Sequence, residues 1–289
     1  MIVAYDIGGT RIRAARVAGA DVVPLGEVPT PATDFAAFTA AVGGFAAGAG
    51  GIALSVAGIV DPASQRIKVA NIPCADGRAL GPELEAALGL PVKVLNDADC
   101  FALAEAHHGA GRGHRNVFGI ILGTGVGGGL VIDGRVVQGA GGFAGEWGHG
   151  PVLAGDLALP CGCGQVGCLD TIGGARGIER LHRVLGQDAA GSEEIVDGWR
   201  RGEAAACETV AVWTERMAGP RAMVLNVVGA SVVPAGGGLA RAADLIAHLD
   251  RAVRARVLRP TGTALLRPAE CPGEPGLIGA AAAFEGEAR

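Results

Sequence analysis

Three thiols within eight residues, Cys161-Gly-Cys163-Gly-Gln-Val-Gly-Cys168, with His149 twelve residues before the first, constrain this chain more than any other feature. Three cysteines and one histidine are a complete tetrahedral donor set for a closed zinc site. Four protein ligands leave no open position, so such an ion cross-links the loop and does no chemistry. The fold must therefore return His149 to the cysteine loop. The set lies 20 to 40 residues after a glycine-rich run, Gly123-Thr-Gly-Val-Gly-Gly-Gly129. A metal-stapled loop so soon after a loop suited to phosphate predicts an enzyme whose substrate pocket is pinned by zinc.

A chain of 289 residues is long enough for two compact domains, each with its own core. Its 50 glycines are far above the usual share of about 7%. They cluster at Gly8-Gly9, Gly123 to Gly129, Gly139 to Gly150 and Gly236 to Gly238, which points to close backbone approach to a ligand. The net charge is −5 with no basic stripe, which argues against nucleic acid as a partner. Met1-Ile-Val-Ala-Tyr-Asp6 reads as a strand start without a charged leader. No apolar stretch reaches the roughly 18 residues of a membrane helix, so no membrane partner and a cytoplasmic location are expected. In that compartment seven cysteines, three of them bunched, read as metal ligands and not as disulfides. Cys74, Cys100, Cys207 and Cys271 are expected as small buried hydrophobes.

Residues 2–7 and 11–17 read as two strands around Gly8-Gly9-Thr10, and 21–28 as a third. A helix is predicted from Asp34 to about Ala47, and Gly51 to Ala57 is a buried strand by its apolar run. A helix opens near Pro82, and a strand closes at Leu95. Asn96-Asp97 then caps a helix to about His108. The polar run Gly109-Ala-Gly-Arg-Gly-His114 marks a domain boundary, giving a small α/β domain over 1–112 and a large one over 113–275. The second half repeats the opening design: strand 117–122, glycine loop, strand 130–133. A long helix (203–229), a strand (231–235), a helix (240–257) and a strand (263–267) complete it. A final helix over 276–289 is expected to rejoin the small domain.

Gly123-x-Gly125-x-x-Gly128 matches the dinucleotide fingerprint by letter, but that fingerprint must open a helix and the residues that follow read as a strand. No Gly-x-x-x-x-Gly-Lys-[Ser/Thr] run exists, which excludes P-loop chemistry. What remains is a hairpin whose amides and Thr124 hydroxyl can cradle an anion. Asp6 stands just before the other hairpin. A carboxylate beside an anion site suits a divalent ion held through water, as Mg²⁺ is. Asp97, at the mouth of a strand, can take a proton from an attacking hydroxyl. Asp99 is read as an exposed first-turn acid. Glu146 can accept from two vicinal hydroxyls of a sugar. His149 can bind zinc through one ring nitrogen and donate from the other. Asp170, two residues past Cys168, rides on the same loop.

Together these segments resemble the ROK family of sugar kinases and repressors. The motifs are Asp6-Ile-Gly-Gly-Thr10, Leu95-Asn-Asp97-Ala, Gly123 to Gly129, Gly145-Glu-Trp-Gly-His149, the cysteine run and Gly236-Gly-Gly238 after Val233. The resemblance implies a two-domain α/β fold of the actin-like ATPase, ribonuclease H-like kind. It implies transfer of phosphate from ATP to a hexose, usually at the 6-hydroxyl, with Asp97 as base. ATP with Mg²⁺ would lie on Asp6, Gly8, Gly9, Thr10, Arg11, Gly123, Thr124, Gly125, Gly127, Gly128, Gly236, Gly237 and Gly238. The sugar would lie on Asn71, Asn96, Asp97, Glu146, His149 and Asp170, with Zn²⁺ on His149, Cys161, Cys163 and Cys168. Val69 to Leu80 and Asn96 to Glu105 look most like the bacterial N-acetylglucosamine kinases, with glucokinase, N-acetylmannosamine kinase and fructokinase as alternatives. Asp170 stands where the family usually has Glu, and Ala57 where it usually has Pro before Gly58. A sugar-sensing regulator of the family would add a DNA-binding segment ahead of the first strand. The resemblance also implies a homodimer or homotetramer.

Overall fold

The computed structural model describes residues 1–259 and 261–287. In chain order the strands and helices begin β1 Ile2–Ile7, β2 Arg11–Ala18, β3 Asp21–Pro29, α1 Phe35–Gly43, β4 Gly51–Val56, β5 Ile59–Val60 and β6 Ile67–Lys68. They continue α2 Leu80–Leu88, β7 Val92–Asn96, α3 Asp97–His108, β8 Asn116–Leu122, β9 Val126–Ile132 and β10 Arg135–Val136. The remainder is α4 Asp170–Gly173, α5 Ala175–Val184, α6 Ser192–Arg201, α7 Ala204–Val228, β11 Val233–Gly236, α8 Ala243–Arg254, β12 Leu266–Pro268 and α9 Pro275–Glu287. Residues 288 and 289 of the expected final helix lie outside the described residues.

Two five-stranded sheets carry these elements, ordered β3-β2-β1-β4-β7 and β10-β9-β8-β11-β12. The orders correspond strand for strand. In each, an antiparallel hairpin strand flanks two parallel pairs: β1/β4 and β4/β7 in the first, β8/β11 and β11/β12 in the second. The match between the two glycine hairpins that is visible in sequence therefore extends to the whole sheet order.

The chain divides into two compact units. One takes Met1–Gly113, Gly129–Ala144 and the chain from Glu270; the other takes His114–Gly128 and Gly145–Ala269. Period-two alternation builds the first unit. Val3, Tyr5 and Ile7 of β1 join a core with Phe38, Val42, Leu80 and Leu84, on the side of α1 and α2. Ile2 and Ala4 face the opposite way, into a core with Cys100 and Ala104 of α3 and Leu277, Ile278 and Ala281 of α9. The side chain of Asp6 shares that second face, because it follows Ala4 by two. In the second unit α7 buries Val210, Trp213, Met217 and Leu225 and runs through Pro220 unbroken.

The differences from the expected elements have local causes. α1 stops at Gly43, where Gly43 and Gly44 end the favourable run for helix. The helix expected over 240–257 shortens to Ala243–Arg254, because a 3-10 turn at Leu239–Arg241 precedes it. Asp99 is buried (3% exposed), not exposed, because Gly129 of β9 packs against the first turn of α3. Of the four scattered cysteines only Cys100 is buried; Cys74, Cys207 and Cys271 are half-buried. Among the described residues no helix is long and apolar enough to cross a membrane.

Candidate active site

In the first unit the β1–β2 hairpin is tied from outside. The Gly8 amide donates to Arg11 O at 3.0 Å, the Thr30 hydroxyl donates to Gly8 O at 2.7 Å, and the Thr30 amide donates to Thr10 O at 2.9 Å. Asn71 lies over Gly9, close enough that a Cβ on Gly9 would meet the Asn71 Cβ at 2.8 Å. Arg11 is exposed and paired with Glu27 of β3. The Asp6 carboxylate is paired with Arg13, whose second fork nitrogen reaches Glu274 at 2.8 Å.

The β7–α3 junction follows from Asn96. Its Oδ1 accepts from the amides of Ala98 (2.8 Å) and Asp99 (3.3 Å), an N-cap of the kind Asn favours. Its Nδ2 donates to Gly58 O at 3.0 Å. Asn96 is thus used at both ends by the protein itself. Asp97 is the first residue of α3 and half-buried, its Oδ1 accepting from the Ala98 amide at 2.9 Å. A carboxylate there also suits the positive end of the helix dipole.

In the second unit the glycine hairpin between β8 and β9 is clamped by residues far away in sequence. Asp170, at the start of α4, accepts from the Val126 amide through Oδ1 at 2.7 Å. The Ala175 amide, opening α5, donates to Gly123 O at 2.7 Å, and the Trp147 indole donates to Gly127 O at 2.9 Å. Gly125 has no room for a side chain: a Cβ there would lie 2.3 Å from Asp170 Oδ1.

The four expected zinc ligands come together. The donor atoms of His149, Cys161, Cys163 and Cys168 all lie within 4.8 Å of one another. Cys163 and Cys168 Sγ are 3.6 Å apart, as are Cys161 Sγ and His149 Nδ1. Tetrahedral bonds of about 2.3 Å to sulfur require sulfur separations of about 3.8 Å, so the donor set fits zinc. The Gly150 amide donates to Cys168 Sγ at 3.3 Å, and the Gln165 amide lowers the Cys163 thiol below its ordinary range. His149 turns its Nδ1 to the thiols and its Nε2 to Glu146, 3.7 Å away. Burial pushes the Glu146 carboxyl above its ordinary range; His149 opposes this and Asp170 adds to it. Asp170 Oδ2 lies 3.7 Å from Cys161 Sγ, so this one carboxylate stands between the thiol set and the hairpin.

Gly236 to Gly238 follow β11, and Gly237 is pressed against the chain at Leu122–Gly123 with φ +91°, where only glycine is comfortable. Beside Gly238 opens a cavity of about 420 Å³, lined among others by Ser192, Glu193, Val196, Asp197, Arg200 and Arg241. This is the size range of a small-molecule site. Sequence reasoning missed Trp147, the α5 amides and this α6 wall. The only sequence signal for the wall is Gly191-Ser-Glu-Glu194, where the Glu194 side chain accepts from the Gly191 amide at the start of α6.

Two sheets of one strand order, each opening on a glycine hairpin, define the actin-like ATPase fold. The ROK family model matches residues 2–287, and the chain belongs to that family. It is 37% identical over 238 residues to an N-acetyl-D-glucosamine kinase of Pasteurella multocida, covering 79% of this chain and 78% of that one. Among solved structures, a ROK hexokinase from Thermus thermophilus superposes with a TM-score of 0.86 at 30% identity, over 100% of this chain and 99% of that chain. A ROK glucokinase from Streptomyces griseus in complex with glucose and AMPPNP gives 0.76 at 28%, over 97% of each chain.

Proposed function

We propose that this protein transfers the terminal phosphoryl group of ATP to the 6-hydroxyl of N-acetyl-D-glucosamine. It is an ATP-dependent sugar kinase of the ROK family. The observation that supports a sugar site most directly is the divided use of His149, with Nδ1 on the thiol set and Nε2 facing Glu146. A metal-pinned imidazole that steadies a carboxylate is a means of presenting a fixed acceptor to hydroxyl groups.

In this reading Asp97, the first residue of α3, takes the proton of the attacking hydroxyl. Asn96 holds that turn through its cap and through Gly58. Asn71, Asn96, Asp97, Glu146, His149 and Asp170 are the proposed sugar contacts. The two glycine hairpins are the proposed phosphate loops, and the cavity beside Gly238 is the proposed seat of the adenosine. Asp6, a carboxylate oxygen donor of the kind Mg²⁺ prefers, is the proposed acid of the metal shell. Zinc, when bound, supplies a structural cross-link among His149, Cys161, Cys163 and Cys168.

A coupled ADP-release assay with MgATP and N-acetylglucosamine, glucose, N-acetylmannosamine, mannose or fructose tests the reading. A kcat/KM for N-acetylglucosamine at least tenfold above glucose is expected. A preference for glucose would overturn the substrate, and no turnover with any sugar would overturn the kinase.

A further inference from the structure

Arg221 is fully buried on α7, and none of its three guanidinium nitrogens has a hydrogen-bond partner among the described residues. Its guanidinium lies over the ring of Trp147, 4.2 Å from the centroid. Burial alone lowers its pKa, to about 9, so it remains a cation at neutral pH. Desolvating an unpaired charge is among the more destabilising things a core can contain. A desolvated cation on an indole face recovers only part of that loss. By stability alone an apolar side chain would serve better at this position.

The stack adjoins the second glycine hairpin through Trp147. The pyrrole edge of the Trp147 indole is engaged with the hairpin strand: Nε1 donates to Gly127 O at 2.9 Å, and a Cβ on Gly128 would meet the ring at 2.6 Å. Arg221 and the Gly127–Gly128 backbone therefore contact the same indole. No carboxylate pairs with it among the described residues, so its field on that side is not cancelled. In a low-dielectric setting an uncancelled charge acts over several ångströms.

We propose that Arg221 is a positioning residue for the nucleotide. It holds Trp147 and through it the hairpin, and its counter-charge is the phosphate group that occupies the hairpin. This rests on reading the second hairpin as a phosphate loop. Stability is thus exchanged for anion affinity, and two quantities should move in opposite directions when the charge is removed.

The test compares wild type, Arg221→Met and Arg221→Lys by calorimetric titration with ADP and with adenosine, and by thermal unfolding without ligand. In Arg221→Met the Kd for ADP should rise about tenfold, about 1.4 kcal/mol, while the Kd for adenosine stays within twofold. The unliganded Tm should stay level or rise. KM for ATP should rise with kcat little changed, and Arg221→Lys should recover most of the ADP affinity. Arg221→Gln, similar in length and uncharged, carries the same expectation should the Met variant fail to fold. Equal weakening of ADP and adenosine, unchanged ADP binding, a lowered Tm, or failure of both uncharged variants to fold would overturn the proposal and leave the sugar kinase reading standing. A wild-type protein that binds neither ADP nor adenosine would overturn both.

Discussion

Replacing Gly125 by Ala isolates what Asp170 does to the second hairpin. Gly125 is not among the residues with positive φ, so Ala brings no backbone strain of its own. The effect is steric and specific: the new Cβ would lie 2.3 Å from Asp170 Oδ1, far inside van der Waals contact. The carboxylate must rotate away, and its 2.7 Å bond from the Val126 amide is lost. A hydrogen bond to a charged group contributes about 1.5–3 kcal/mol. At about 1.4 kcal/mol per decade, that is roughly a 10- to 150-fold loss in kcat/KM for ATP if the loop must be ordered to hold phosphate. The same loss corresponds to a Tm lower by about 3–12 °C, at about 2–4 °C per kcal/mol for a chain of this size class. The decisive assay is a double-mutant cycle with Asp170→Ala. Once the carboxylate is gone, the added methyl has nothing to displace, so the Gly125→Ala penalty should fall to near zero in that background. A penalty of equal size in both backgrounds, or a Gly125→Ala protein with wild-type Tm and ATP kinetics, would refute the reasoning.

Asp97→Asn should keep sugar affinity within about threefold and lower kcat by at least about 10²-fold, the usual worth of a general base; direct sugar titration beside steady-state kinetics checks this, and an unchanged kcat would remove Asp97 from the role. Cys163→Ser leaves three of the four donors, so metal analysis should find zinc in the wild type and a strong loss in the variant, with faster proteolysis within residues 145–170. Equal zinc content would count against the assigned ligand set. Burial, with the nearby Glu105 carboxylate adding, pushes the Cys271 thiol up to about 12. Its thiolate is therefore scarce at pH 8, and iodoacetamide should label it more than about 100-fold more slowly than a free peptide thiol. Fast labelling of Cys271 in the folded protein would contradict that environment.

Much of this architecture can be read along the chain because it depends on local rules. Alternation in Ile2–Ile7 separates two core faces, Asn96 is a cap before it is anything else, and the spacing of Cys161, Cys163 and Cys168 already describes a metal loop. The hairpins at Gly8–Gly9 and Gly123–Gly129 stand at corresponding places, and the two sheets have the same order. Other features depend on distance in sequence and leave no local mark. Asp99 has the composition of an exposed first-turn acid, and only the packing of Gly129 buries it. Asp170 looks like one more residue of the cysteine loop, until tertiary structure sets one oxygen on the Val126 amide and the other beside Cys161. Arg221 sits in an ordinary stretch of helix with Pro220 before it, and its lack of a hydrogen-bond partner among the described residues is a property of the folded surroundings alone. Periodicity, caps and ligand spacing are consequences of bonded neighbours, so sequence alone determined most of the elements, though not α4 to α6, together with the hairpins and the donor set. Burial, lost hydration and long-range clamping arise when segments some 30 to 75 residues apart meet, so tertiary structure alone decided which carboxylate holds the second glycine hairpin and which cation stacks on the indole beside it.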